Sequence, residues 1–462
     1  MRKLITILTI SILIAGLVGC EKYVTGYEAD PLSPVDADAL KTFVGAQLNY
    51  SLFTEGTAAW MASIWAQQIR GADRQFSAFE VYNITNQDFG NDWSLAYRAL
   101  TNLRTVQGKA GAGGQQNLKA AAEILEGLHM GTVAAVWGDI PYKQAAQPEV
   151  TLTPVYDGQL SVYADVQKVL DQGIADFTAN TAPIGQDVFT TGGSQAKWLK
   201  LAHSAKARYL MHTARSQGYS AAILNQVISE AQLGILATTG SDDVKMTHGA
   251  TAGGNMNAWY DFMVRNRSGY IDAVNNFPFP MMNAAKSDGK TDEVGRLAFY
   301  FTATGTDVIK TTGGAYAQEA PYPLFRASES HLLMAEAYVR LGNTASALTE
   351  LNSARTYNNS VFGNKSLLFV AADFPTAAAL QQAIFNETYL SLMHQIEVWN
   401  FLRRIDYAIS YKATGGATVT MTPRRATEFP QRFVYSVNEF TANPNMPKEA
   451  TNAQFARTAV NK

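Results

Sequence analysis

The stretch Leu332-Leu333-Met334-Ala335-Glu336-Ala337-Tyr338-Val339-Arg340-Leu341-Gly342-Asn343-Thr344-Ala345-Ser346-Ala347-Leu348 decides the architecture. Apolar and small residues recur at helical spacing up to Leu341, and the pattern resumes beyond Gly342 with Ala347, Leu351 and Ala354. Small side chains let two antiparallel helices approach closely. Gly342 permits the tight turn between them, since helix-ending turns commonly need a positive φ. The spacing predicts a helical hairpin over 327–341 and 344–357. One hairpin cannot bury its own face, so neighbouring helices are expected to stack on it.

The order small residue, Tyr, Gly, Ala, large residue, Ala (Ala335, Tyr338, Gly342, Ala347, Leu351, Ala354) approximates a tetratricopeptide unit. Outward from this unit, helical periodicity covers 39–70, 117–137 with Asn117 as its cap, 161–177, 194–216, 221–233 and 377–406, and a further helix begins near Trp93. The segment 71–90 reads as a polar, aromatic loop, and 108–116 as a glycine-rich break. Between 234 and 320 the helical period fades into Gly, Asn, Thr and aromatic residues. The tail after Tyr411 is irregular. A mostly α protein is predicted, with residues 39–462 as one helical domain and a loop-rich region at about 234–320.

The N-terminus has its own logic. Arg2 and Lys3 precede an apolar run from Leu4 to Val18, too short for a comfortable membrane span of about 20 residues and suited to a secretory signal. Leu17-Val18-Gly19-Cys20 resembles the bacterial lipobox, which implies cleavage before Cys20, acylation of its thiol and anchoring of the body to a membrane through more than one acyl chain. Residues 21–38, with Pro31 and Pro34, read as a tether. Cys20 is the only cysteine, so neither an internal disulfide nor a multi-cysteine zinc site is possible. The net charge of −2 argues against a nucleic-acid partner, which calls for a basic face.

Several motifs now stand in order. Gly138-Asp139-Ile140-Pro141-Tyr142 follows an alanine-rich helix, and a segment from Trp198 to Arg208 comes next. The hairpin over 326–355 is followed by a segment carrying Trp399, Arg403, Arg404 and Asp406. Pro430-Gln431-Arg432-Phe433-Val434-Tyr435 leads to Glu439 and Asn443-Pro444-Asn445. This order, with the lipobox, resembles the SusD/RagB family of outer-membrane lipoproteins of Bacteroidetes, in its SusD-like branch. Ser436 and Asn438 depart from it, standing where the family usually has prolines. The resemblance implies tetratricopeptide-like hairpins in a right-handed superhelical body, with an irregular loop-rich region packed on it. It also implies a non-enzymatic, lipid-anchored protein of the outer membrane facing the cell exterior. Such a protein captures an oligosaccharide or a peptide and delivers it to a SusC-type TonB-dependent barrel.

The motif residues themselves read as structural. Asp139 is placed to cap backbone N–H groups, Trp198 to sit in the core, and Arg403, Arg404 and Asp406 to close an ion pair near a helix end. No strong catalytic pattern emerges. The histidines form no His-Glu-x-x-His set. Gly289-Lys290-Thr291 imitates the end of a P-loop but has Ala284 where its first glycine belongs. Ser194-Gln195-Ala196-Lys197 fits an acyl-transferase spacing without its partner motifs, and Ser194 suits a helix N-cap. No cofactor and no metal site is indicated.

Binding suits the composition better. Aromatic rings cover the C–H faces of sugars, while Asn, Asp, Gln and Arg take the hydroxyls. Two non-helical stretches carry this mixture. One contains Phe76, Tyr82 and Asn83; the other contains Trp259, Tyr260, Arg265, Asn266 and Tyr270. These eight are the candidate ligand contacts, and the competing role for their rings is to glue loops onto the helical body. Two other functions stay open at this point: a lipid-anchored glycan hydrolase, which needs two carboxylates flanking one bond, and a repeat adaptor that binds only proteins.

Overall fold

The structure is a computed structural model and describes residues 37–178, 183–251, 255–424 and 427–462. The signal segment, Cys20 and residues 21–36 of the expected tether lie outside the described residues.

The chain opens with α1 (Ala39–Glu55) and α2 (Thr57–Trp65), so the run expected over 39–70 is broken at Gly56. A short strand, β1 (Arg70–Gly71), follows, and then α3 (Arg74–Glu80) inside the stretch expected to be loop. The Asp73 carboxylate accepts the Arg74 N–H, and Phe76 and Phe79 face inward. α4 (Gly90–Ala112) runs through Gly108 and Gly111, so the glycine break expected over 108–116 is confined to 113–115. Val106 and Ala110 extend its buried stripe, so packing outweighs the low helix propensity of Gly108 and Gly111. α5 (Gln116–Trp137) begins before Asn117, which therefore lies in its first turn and is not the cap.

α6 (Gln159–Thr178), α7 (Gln195–Ala214) and α8 (Ala221–Gln232) complete the first half. α5 and α6 run antiparallel in close contact. A Cβ at Gly173 would come within 2.7 Å of the Ile124 side chain and 3.0 Å of the Ala120 carbonyl.

Beyond α8 the chain is irregular, as expected, but it carries β2 (Val244–Met246), α9 (Ala258–Tyr260) continuing as a π-helix over Asp261–Asn266, and β3 (Ile271–Asp272). It also carries α10 (Pro278–Ala285), α11 (Val294–Tyr300) and β4 (Tyr322–Phe325). The antiparallel pairs β1–β3 and β2–β4 fasten this region to the helical body.

The hairpin forms as read, from α12 (Ala327–Arg340) and α13 (Thr344–Phe362). Gly342 turns between them at φ 80°, and the Asn343 side chain caps α13 by accepting the Ser346 N–H at 3.1 Å. Leu332, Ala335 and Val339 meet Ala347, Leu351 and Ala354, and Leu380 and Ile384 of α14 (Ala377–Ser391) close the cluster. The uncovered face thus receives the further helix that stacking requires. α14 and α15 (Ile396–Arg404) are separate helices, divided at His394, whose φ is 61°. The tail adds the hairpin of β5 (Ser410–Lys412) and β6 (Thr418–Thr420), and α16 (Val437–Ala442). Ser436 caps α16 by accepting the Asn438 N–H at 3.1 Å.

Buried charge pairs bind the layers together. Arg208 of α7 meets Glu329 of α12 through two hydrogen bonds of 2.6 and 2.7 Å. Glu336 lies between Arg404 and Arg340, and these two guanidinium groups, working against burial, hold its carboxyl down at about 2. Arg403, Arg404 and Asp406 do not pair with one another as expected. Arg403 donates to the carbonyls of Gln431 and Ala135, and Asp406 meets Arg215 and Arg457 instead. Trp198 is core and Asp139 accepts the Gln159 N–H at 2.8 Å, both as read. The fold is mostly helical and tetratricopeptide-like.

Candidate functional site

A cleft of about 920 Å³ opens between the loop-rich region and the end of the hairpin. One wall is the turn around Tyr260, and another is the loop from Lys310 to Pro321. The floor combines Phe299 at the end of α11 with Val361 and Phe362 at the end of α13. Its volume falls in the range of small-ligand sites.

Local bonding explains the shape. Asn257 accepts the N–H groups of Trp259 (3.0 Å) and Tyr260 (3.2 Å), which starts α9. The Asn257 N–H and side-chain amide in turn donate to the carbonyls of Gln318 and Ala320, tying this turn to the opposite wall. The N–H groups of Ile309 and Ala315 bond back to the carbonyls of Tyr300 and Phe299, which folds the 310–320 loop over α11. The widened π-turn after Tyr260 is a form often found at functional sites.

The lining offers two kinds of contact. Tyr260, Phe299 and Phe362 are half-buried rings, and Phe299 and Phe362 lie 5.4 Å apart between centroids. Around them stand the hydroxyls of Thr311 and Thr312, the amide of Gln318 and the charged Lys245, Lys310, Arg326 and Glu319. Burial works against the charge on Arg326, but the hydroxyls of Tyr300 and Tyr357 and the Asp243 carboxylate outweigh it and raise its pKa. Glu319 is the one carboxylate among the described lining residues.

Of the eight predicted contacts, only Tyr260 lines this cleft. Trp259 is fully buried, stacked on Tyr316 at 4.8 Å and set edge-on to Trp60 at 6.2 Å, so its ring is core. Phe76 packs on Phe262 and Trp60, and Tyr82 is buried with its hydroxyl accepting the Arg424 N–H. Neither ring is open to a ligand. These three candidates are corrected to structural roles: here the aromatics do glue loops together, as the competing reading allowed. Arg265 forms an ion pair with Asp261 at 2.5 Å, and Asn266 donates to the same carboxylate. Tyr270 packs on Phe76 and Phe262 beneath Arg267, and Asn83 is exposed elsewhere on the surface. The β1–β3 pair and the Arg70–Asp272 ion pair do bring the two predicted stretches together, but as a packed layer beside the cleft.

Phe299, Val361 and Phe362 were missed because they sit at helix ends. There a sequence shows an ordinary apolar residue and no sign of which way it faces. The imitation P-loop is also resolved. The Asp373 carboxylate holds the Lys290 ammonium, and Asp288 takes the Thr291 N–H and hydroxyl, so the turn cradles its own side chains. Lys290 and Asp373 belong to a second cleft of about 560 Å³, which meets α13 through Leu351 and Arg355. Among the described residues no group of three or more His, Cys, Asp or Glu could hold a metal ion, and no helix is long and apolar enough to cross a membrane.

Comparison with known proteins decides the family. A SusD-like family model, described as "starch-binding associating with outer membrane", matches residues 35–435. The chain belongs to the SusD-like family. Solved structures of similar fold include a SusD/RagB family protein from Bacteroides thetaiotaomicron, at 21% identity and TM-score 0.66, with 89% of this chain and 95% of that one covered. A chitin-binding SusD homolog from Flavobacterium johnsoniae matches at 16% identity and TM-score 0.69, covering 92% and 98%. A SusD homolog from Bacteroides fragilis matches at 18% identity and TM-score 0.70, covering 92% and 100%. No curated protein matches the chain. The family assignment supports a glycan-binding role at the outer membrane, and the SusD-like fold supplies the cleft in which to seek it.

Proposed function

We propose that this protein captures an oligosaccharide in the cleft beside Tyr260 and delivers it to a SusC-type TonB-dependent transporter. The observation that carries the reading is the cleft's lining: three half-buried rings among hydroxyl, amide and charged groups, in a SusD-like chain. Rings stacked on a sugar face exclude water and contribute by area, and the polar groups set orientation. Tyr260 is kept from the predicted set, and Phe299 and Phe362 join it. A family relative named as chitin-binding supports a glycan over a peptide as the first ligand to test.

A bound hydrolase fits less well. It requires two carboxylates roughly 5–9.5 Å apart across the bond, and Glu319 is the only carboxylate lining the cleft among the described residues. Of the four carboxylates at the second cleft among the described residues, Asp373, Glu293 and Glu387 are held by Lys290 and Arg296, and Asp288 accepts the N–H groups of Lys290 and Thr291 and the Thr291 hydroxyl. We place the protein at the outer membrane through lipidated Cys20, with residues 21–38 as tether and the body facing the exterior.

Calorimetric titration with starch, chitin and other oligosaccharides tests the binding claim. Measurable affinity that falls at least tenfold in Phe299→Ala is expected, and no binding to any glycan would contradict it. Cys20→Ser should release the protein from membranes when no barrel partner is present. Retention of the variant in the membrane fraction would contradict the anchor.

A further inference from the structure

The cations of the cleft are arranged unevenly with respect to their partners. Lys245 reaches Asp243 only at 3.4 Å, with its side chain 27% exposed and the aspartate fully buried behind it. Asp243 is already occupied: the Tyr357 hydroxyl donates to it at 2.6 Å and the Ala327 N–H at 3.0 Å. Lys310 is paired with Asp307 at 2.8 Å, but that partner is 39% exposed and outside the cleft lining, where ion pairs contribute little. Arg326 is 8% exposed, and its guanidinium donates to the Tyr300 hydroxyl at 2.8 Å and the Ser391 carbonyl at 3.3 Å. Among the described residues it has no ion-pair partner. A ligand entering the cleft therefore meets two lysines, with the buried Arg326 beneath them, and a single exposed carboxylate, Glu319, while the other compensating acids stand behind the cations or to one side.

Resting on the glycan-binding reading, we propose that this cleft selects oligosaccharides bearing an anionic substituent, a carboxylate or a sulfate ester. Lys245 and Lys310 meet the anion directly in place of their loose or exposed partners. Arg326 adds positive potential from beneath. The rings of Tyr260, Phe299 and Phe362 take the sugar faces. Charge-assisted hydrogen bonds are about twice as strong as neutral ones, so each lysine contact corresponds to roughly a tenfold change in affinity.

The test uses matched pairs of one backbone with and without charge: oligogalacturonate against its methyl ester, and a sulfated galactan oligosaccharide against its desulfated form, with starch and chitin oligosaccharides as neutral references. Binding is read by calorimetry across a range of salt, beside a thermal melt of each variant. The charged member of at least one pair should bind about tenfold tighter or better, with affinity falling as salt rises. The pair that responds tells carboxylate from sulfate. Lys245→Gln and Lys310→Gln should each lose about tenfold for the charged ligand, and Lys310→Arg should keep it. Equal binding of charged and neutral members, binding of starch or chitin alone, or unchanged affinity in both glutamine variants would overturn the charge preference and leave glycan binding standing. No binding to any of these sugars would overturn the glycan reading itself.

Discussion

Replacing two neighbouring residues one at a time separates core from site. Trp259 is fully buried against Tyr316, Trp60 and His394. Its Nε1 has no hydrogen-bond partner among the described residues, so removing the ring forfeits packing alone. Trp259→Ala should cost about 3–5 kcal/mol, the usual range for a large buried aromatic truncated to alanine, because the surrounding rings can collapse only partly into the space. Tyr260 is half-buried and lines the cleft. Tyr260→Ala should cost less than about 1 kcal/mol of stability while lowering oligosaccharide affinity by about tenfold or more, as expected for an anchor ring at a site with few anchors. Denaturant unfolding gives the first quantity and calorimetric titration the second. A stable Trp259→Ala variant that no longer binds sugar, or a Tyr260→Ala variant that binds normally, would refute the assignment.

Other expectations follow from single features of the fold. Gly342→Val should lower the melting temperature clearly, since φ 80° is disfavoured for a β-branched residue; an unchanged melt would count against the hairpin turn. Glu336→Ala leaves Arg404 and Arg340 facing each other without their shared carboxylate and should cost about 3–5 kcal/mol in denaturant unfolding. Burial holds the His129 imidazole down at about 4, so the neutral ring is the folded form. Its contribution is fully present above the ordinary value near 6.5 and is lost as pH falls toward 4, at up to about 1.4 kcal/mol per pH unit. His129→Gln, which can still donate to the Ala96 carbonyl, should make the loss of stability between pH 6.5 and 4 shallower, with the buried His212 and His394 still contributing; an unaltered slope would show that this ring does not titrate on unfolding.

The helical architecture was legible where small residues and turns repeat a simple geometry. Ala335, Gly342 and Ala354 announced the hairpin because helix approach and chain reversal leave a local trace. The helix through Gly108 and Gly111 was not legible, because Val106 and Ala110 hold it by contacts distant in sequence. The site divides the same way. A change of composition marked the loop-rich region, and Tyr260 within it, but Trp259 and Tyr260 share composition and neighbourhood and differ only in the direction each faces. Phe299 and Phe362 gave no signal, since two helix ends far apart in the chain meet only after folding. Lys245, Lys310 and Arg326 are likewise scattered along the sequence and acquire meaning from the partners that surround them.

The central claim is that sugar binds against Tyr260, Phe299 and Phe362, and a crystal structure of the protein with an oligosaccharide it binds in solution tests it most directly. Sugar rings lying on those three side chains, with oxygen atoms near Thr311, Gln318 and Lys310, are the predicted result. Sugar found instead in the second cleft, against Phe369, Phe374 and Tyr411, with the first cleft free of it, would contradict the account.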